Sequence, residues 1–184
     1  HATAHASVDL VALKADFWTC SPYKFMGPHC GVLAASPELL ETLHPDKLLP
    51  SSDDVPERFE LGTLPYEVLA GATAAVDFIA GLDDAASGTR RERIERSMAA
   101  VHTHERALLD VLEPGLRGLP GVTVHSNAAK RTPTLLFTVE GRDPQEIRSL
   151  LAERGVNAPA GHFYAIECSR HLGLGDVGGV RVGL

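Results

Sequence analysis

Lys24 sits where a strand gives way to a turn, the placement an amine nucleophile needs. The surrounding segment, Ala15 to Leu33, reads ADFWTCSPYKFMGPHCGVL. Asp16 to Cys20 is aromatic and β-favouring and reads as a buried strand. Ser21 to Phe25 turns the chain, Met26-Gly27-Pro28 is a second turn signal, and Gly31 to Ala35 reads as the returning strand. Desolvation at a strand end disfavours the ammonium and makes the neutral amine available. A neutral amine is what Schiff-base chemistry with an aldehyde cofactor requires. The hydroxyls of Ser21 and Tyr23 would donate to a phosphate or a phenolate oxygen. On spacing alone, Ser-x-x-Lys more often marks a surface lysine in a turn.

The other reactive residues point less clearly. Nine histidines invite a metal reading, with His1 and His5 or His102 and His104 as the pairs. No CxxC, HExxH or carboxylate-flanked cluster accompanies them, so no metal is expected. His29-Cys30 reads as packing at a strand start, Cys20 as a buried strand residue and Cys168 as a packed helical one. The charge run from Arg90 to Arg96 reads as a solvated helix face. Three unevenly spaced cysteines argue against a disulfide framework and for a reducing, cytoplasmic setting. A net charge of −7 without a basic face argues against a nucleic-acid partner. No apolar run is long enough for a spanning helix, so no membrane partner is expected.

The elements that would position Lys24 follow from pattern. A chain of 184 residues holds one compact domain, or a small domain with part of another. Ser36-Pro37 caps a short helix over Pro37 to Leu43, and Pro45 to Arg58 is a loop. An Ala-rich helix spans Pro65 to Leu82. Ile94, Met98, Val101, Leu108, Leu109 and Leu112 mark an amphipathic helix over Arg90 to Glu113, ended by Pro114-Gly115. Val122 to Val124 and Thr134 to Val139 read as strands. A helix starting at Asp143-Pro144 runs to Arg154 and ends at Gly155. A short helix over 164–172 and a last strand over 179–184 complete a small α+β unit. The chain starts at His1 and stops inside an apolar strand, so both ends read as truncations.

Asp16-Phe17-x-x-x-Ser21-x-x-Lys24-x-x-Gly27-Pro28-x-x-Gly31-Val32-Leu33 resembles the cofactor-lysine motif of the class V aminotransferases, a family that includes the cysteine desulfurases. Arg58-Phe59-Glu60-Leu61-Gly62-Thr63 resembles that family's Arg-Phe-Glu-x-Gly-Thr segment. Gly161-His162 and the strand with Arg181 resemble its C-terminal active-site segments. The resemblance implies an α/β fold, that of the fold type I pyridoxal-phosphate enzymes. Residues 1–90 would be the C-terminal part of the cofactor-binding large domain, and 91–184 a linking helix and small C-terminal domain. It implies a Lys24 aldimine with pyridoxal 5'-phosphate, with Lys24 also moving the substrate proton. Ser21 would hold the phosphate. Tyr23, standing where many desulfurases have histidine, would contact phosphate or substrate. Thr63 would reach the phosphate of a neighbouring subunit, making a homodimer. His1 would lie near the phenolic oxygen. Arg181 would fork onto the α-carboxylate of an amino-acid substrate, with His162 beside it.

Two departures bear on the chemistry. The aspartate that pairs with the pyridine nitrogen would lie just before His1. Related desulfurases carry a loop cysteine in a Gly-His-His-Cys-like segment, and this sequence has Gly161-His162-Phe163-Tyr164. Tyrosine cannot accept sulfur as a persulfide, and a desulfurase needs a thiolate. The implied enzyme is therefore a desulfurase-like aminotransferase or lyase. The alternatives are a true desulfurase using Cys168 and a catalytically silent binding subunit.

Overall fold

The computed structural model describes residues 2–85 and 87–184, so the expectation for His1 lies outside the described residues. The chain divides into two compact units, His1–Val101 and His102–Leu184.

In the first unit, α1 (Leu10–Leu13) is capped by Asp9, whose carboxylate accepts from the N–H groups of Val11 and Ala12. β1 (Phe17–Cys20) pairs antiparallel with β2 (Val32–Ala35), placing Cys20 opposite Val32. β1 is not the buried strand expected from its composition. Phe17 and Thr19 are exposed, while Trp18 and Cys20 are half-buried. The ribbon has two strands, so only one face finds a core to pack on. α2 (Pro37–Glu41) starts at Ser36, whose hydroxyl accepts from Leu39 N–H at 3.1 Å. It stops two residues short of the expected end because the Thr42 hydroxyl and N–H both turn back onto the Leu39 carbonyl. α3 (Tyr66–Ala80) buries Ala75 and Ile79 against Phe25 and Met98. Its Gly71 lies so near the Lys24 turn that a Cβ there would stand 3.3 Å from Pro28 Cγ.

α4 (Arg90–Arg117) opens with a capping box, Thr89 N–H donating to Glu92 at 2.8 Å and Glu92 N–H to the Thr89 hydroxyl at 3.3 Å. The division between the units falls inside this helix. Pro114 does not end it, contrary to expectation. Proline removes the bond to the Asp110 carbonyl, but both residues face water, which replaces it. The following turn is held by Leu116 on the core and by Arg117, which donates to Glu113 and to the Ser126 carbonyl.

The second unit is an antiparallel sheet in the order β3-β4-β6-β5. β3 (Val122–Val124) and β4 (Thr134–Val139) have the expected bounds. α5 (Pro144–Ala152) is capped by Asp143, and Gly155 just beyond it takes φ 74°. β5 (Ala160–Gly161) was not expected, α6 covers Ile166–His171, and β6 covers Gly179–Gly183. Leu135, Phe137 and Val180 from the sheet meet Leu109 of α4 in the core.

Glu113 joins this core to its rim, receiving Arg117 at 2.8 Å and also Arg131. The Arg117 hydrogen bond, ahead of the Arg131 charge, holds its carboxyl below the ordinary 4.5. A carboxyl acidified by folding stabilises the fold above its unfolded pKa, and loses that effect as pH falls through the folded value. Glu113→Gln should therefore lower Tm at about pH 7 and lower it by less at about pH 3. Equal Tm losses at both pH values would refute the ion-pair account.

Candidate active site

Lys24 lies on a single 3-10 turn, Pro22–Phe25, entered from the extended Ser21. Phe25 is buried in the first unit's core and Pro22 is buried beneath the turn. With those two anchored inward, Tyr23 and Lys24 face out. Gly27 closes the turn by donating to the Pro22 carbonyl at 2.8 Å. A Cβ on Gly27 would stand 2.8 Å from Pro22 Cβ, so the motif's glycine is a steric requirement.

Thr19, Cys20, Ser21, Lys24 and Val32 line a cavity of about 440 Å³. The Ser21 hydroxyl is not used to cap the turn. Lys24 Nζ has no hydrogen-bond or ion-pair partner among the described residues and lies 5.5 Å from the centre of the Tyr23 ring. The Tyr23 ring stacks on His29 at 4.9 Å. Lys24 is exposed, not sheltered as its strand-end position suggested. The turn that buries Phe25 is what turns Lys24 outward. Burial pushes the Cys20 thiol above its ordinary value, which favours the neutral thiol over the thiolate there.

Thr63 is also in the first unit but lines a separate cavity with Glu60, Gly62 and Tyr66. Gly62 takes φ 71° to bring Thr63 to the surface. Arg58, at the start of the same motif, is a structural hub. Its guanidinium donates to the Asp53 carbonyl at 2.6 Å, to the Leu43 carbonyl at 3.3 Å and to Glu41 at 2.9 Å. Lys47 bonds Asp53 at 3.0 Å and holds that carboxyl below its ordinary value.

Arg181 and His162 belong to the second unit and share one cavity of about 200 Å³. Arg181 lies on β6 opposite Leu136 of β4. His162 follows β5, and its Nδ1 is buried without a partner. Phe163 and Tyr164 both take positive φ, 54° and 64°, which bulky residues adopt only where surroundings enforce it. Tyr164 is fully exposed. Cys168 is exposed and lines the cavity, so it is not the packed helical residue expected. Ser169 beside it fills the buried position of α6 instead. Sequence reasoning missed Phe163, whose ring carries the Arg181 guanidinium at 4.0 Å. Only the aromatic type at that position hinted at it. Among the described residues, no three His, Cys, Asp or Glu side chains group as metal ligands.

The donor set in the first unit fits an aldehyde cofactor with a phosphate: an unpaired amine and an uncommitted hydroxyl open onto one polar cavity.

The chain is 31% identical over 182 residues to a probable cysteine desulfurase of Mycobacterium leprae, covering 92% of this chain and 28% of that protein. It is 31% identical over 196 residues to a probable cysteine desulfurase of Pseudomonas putida, covering 98% of this chain and 43% of that one. The chain thus spans less than half the length of the curated relatives it matches. The Escherichia coli cysteine desulfurase CsdA, solved in an S-sulfonic acid form, superposes with a TM-score of 0.79 at 24% identity, covering 98% of this chain and 44% of that one. That likeness gives the fold, α/β of fold type I. The family model described as aminotransferase class-V matches residues 1–184, from before the Lys24 turn to beyond Arg181, and the chain belongs to that family.

Proposed function

We propose that the protein is a pyridoxal-phosphate enzyme acting on an amino acid, with cysteine desulfurase-like chemistry. The observation that carries this is the Lys24 turn, where an unpaired amine and the uncommitted Ser21 hydroxyl open onto one cavity. When bound, pyridoxal phosphate supplies an electron sink for a carbanion at the substrate α-carbon. Lys24 Nζ would hold the cofactor at its aldehyde carbon and would carry the substrate α-proton. Ser21 donates to the phosphate, and Tyr23 contacts phosphate or substrate. Arg181 takes the substrate carboxylate on two parallel N–H donors, with His162 beside it. Thr63 contributes to the neighbouring subunit's phosphate site in a homodimer. The enzyme works in the reducing cytoplasm.

The test is the absorbance of the full-length protein with pyridoxal phosphate, before and after adding L-cysteine or L-alanine. A visible band that moves with an amino acid supports the reading, and its absence overturns it. Product analysis then separates the branches. Release of alanine from cysteine, with sulfide freed only when an added dithiol reduces the enzyme persulfide, and both lost on Cys168→Ser, would make Cys168 the sulfur acceptor. A keto acid formed as its amine passes to a second keto acid would mark transamination, and pyruvate with free ammonia and sulfide would mark elimination.

A further inference from the structure

Arg181 differs from most other arginines of the chain. Arg58, Arg96, Arg117 and Arg170 each meet a carboxylate between 2.7 and 3.0 Å. The Arg181 guanidinium has no hydrogen-bond or ion-pair partner among the described residues. Its one side-chain contact of this kind is the Phe163 ring, 4.0 Å from Cζ. Phe163 reaches that place through φ 54°, an uncommon conformation for a bulky residue. The surrounding cavity walls include Leu136, Ala165 and Leu172.

Stacking on a ring engages the face of a guanidinium and leaves its in-plane N–H groups free. A planar anion such as a carboxylate binds in that plane, through two parallel hydrogen bonds. Left to itself, an exposed arginine gives up rotamer freedom when it binds. A ring that already restricts the side chain lowers that loss. Next to apolar walls, the same cation is also less screened than on open surface.

We infer that Phe163 is a positioning residue that holds the Arg181 guanidinium flat for a ligand carboxylate. This rests on the proposed reading of Arg181 as the carboxylate-binding residue. Phe163 acts through Arg181 and takes no part in bond making.

The experiment compares wild type with Phe163→Leu, Phe163→Trp and Arg181→Ala in the full-length protein. Leucine keeps a side chain on the same positive-φ backbone, so the ring alone is removed. The first readout is made without cofactor, by NMR of the arginine Nε–Hε groups during titration with propionate. Ring current should displace the Arg181 signal in wild type and Phe163→Trp, and the displacement should vanish in Phe163→Leu. Propionate affinity should fall about two- to five-fold in Phe163→Leu, the size of an exposed cation–π contact, and return in Phe163→Trp. The second readout is L-alanine affinity from the absorbance band of the cofactor-loaded protein, which should follow the same order.

Unchanged propionate affinity in Phe163→Leu, with binding lost in Arg181→Ala, would overturn the positioning role and leave the carboxylate site standing. Unchanged binding in Arg181→Ala would overturn both. The expected propionate series without any Lys24-dependent band would uphold the clamp and sink the pyridoxal-phosphate reading.

Discussion

Alanine at position 178 is expected to cost the second unit about 3 kcal/mol or more, read from urea unfolding. Gly178 holds φ 79°, and an added Cβ would overlap the Gly161 carbonyl and stand 2.6 Å from His162 N. These are backbone atoms, so no rotamer change relieves the clash. Gly179 is nearly as constrained, its Cβ position lying 2.9 Å from the Phe137 carbonyl oxygen. The two glycines let β5 lie against β6, with Ala160 opposite Val180 and Gly161 opposite Gly179. Gly173 is the internal control. Its φ of 77° is similar, but no atom lies within 4 Å of an added Cβ. Gly173→Ala should therefore cost only the left-handed backbone penalty, about 1–2 kcal/mol. Equal losses in the two variants would mean that close approach plays no part at Gly178. Gly161, His162 and Gly178 all line the Arg181 cavity, so Gly178→Ala should also weaken carboxylate binding there.

The same glycines explain what the sequence left hidden. β3 and β4 were legible because Val122 and Val124, or Leu135 and Phe137, alternate at the period of a strand with one buried face. α5 was legible from Asp143-Pro144 at its start and Gly155 past its end. β5 is two residues long and carries no period, and it exists only because a distant glycine pair lets it approach. Pro114 reads as a stop signal, yet the turn after it is held by side chains on other elements. For β1, composition signalled the strand but not its burial, since burial depends on what packs on the sheet. The candidate site divides in the same way. Ser21, Tyr23 and Lys24 are contiguous, and their glycines and prolines state the turn locally. The Phe163–Arg181 contact joins residues on β6 and on a strained loop, and no local pattern encodes it.

Alanine at position 24 is expected to remove the visible band formed with pyridoxal phosphate and to lower kcat by about 10²–10⁴-fold, the usual worth of a positioned proton carrier. The fold should not notice. Lys24 is exposed, and among the described residues its amine meets only the Tyr23 ring, at 5.5 Å. Removing such a side chain changes stability by within about 0.5 kcal/mol, so Tm should stay with wild type. Phe25 and Gly27, which hold the turn, are untouched. Lys24→Arg sharpens the test. It keeps a positive charge at the cavity but offers no amine at neutral pH, since guanidinium stays protonated. If the charge alone mattered, Lys24→Arg would retain most of the activity. If the amine carries the cofactor and the proton, Lys24→Arg fails with Lys24→Ala, and a small primary amine in solution restores part of the rate. Full activity in Lys24→Ala would return this residue to the alternative its spacing always allowed, a surface lysine in a turn.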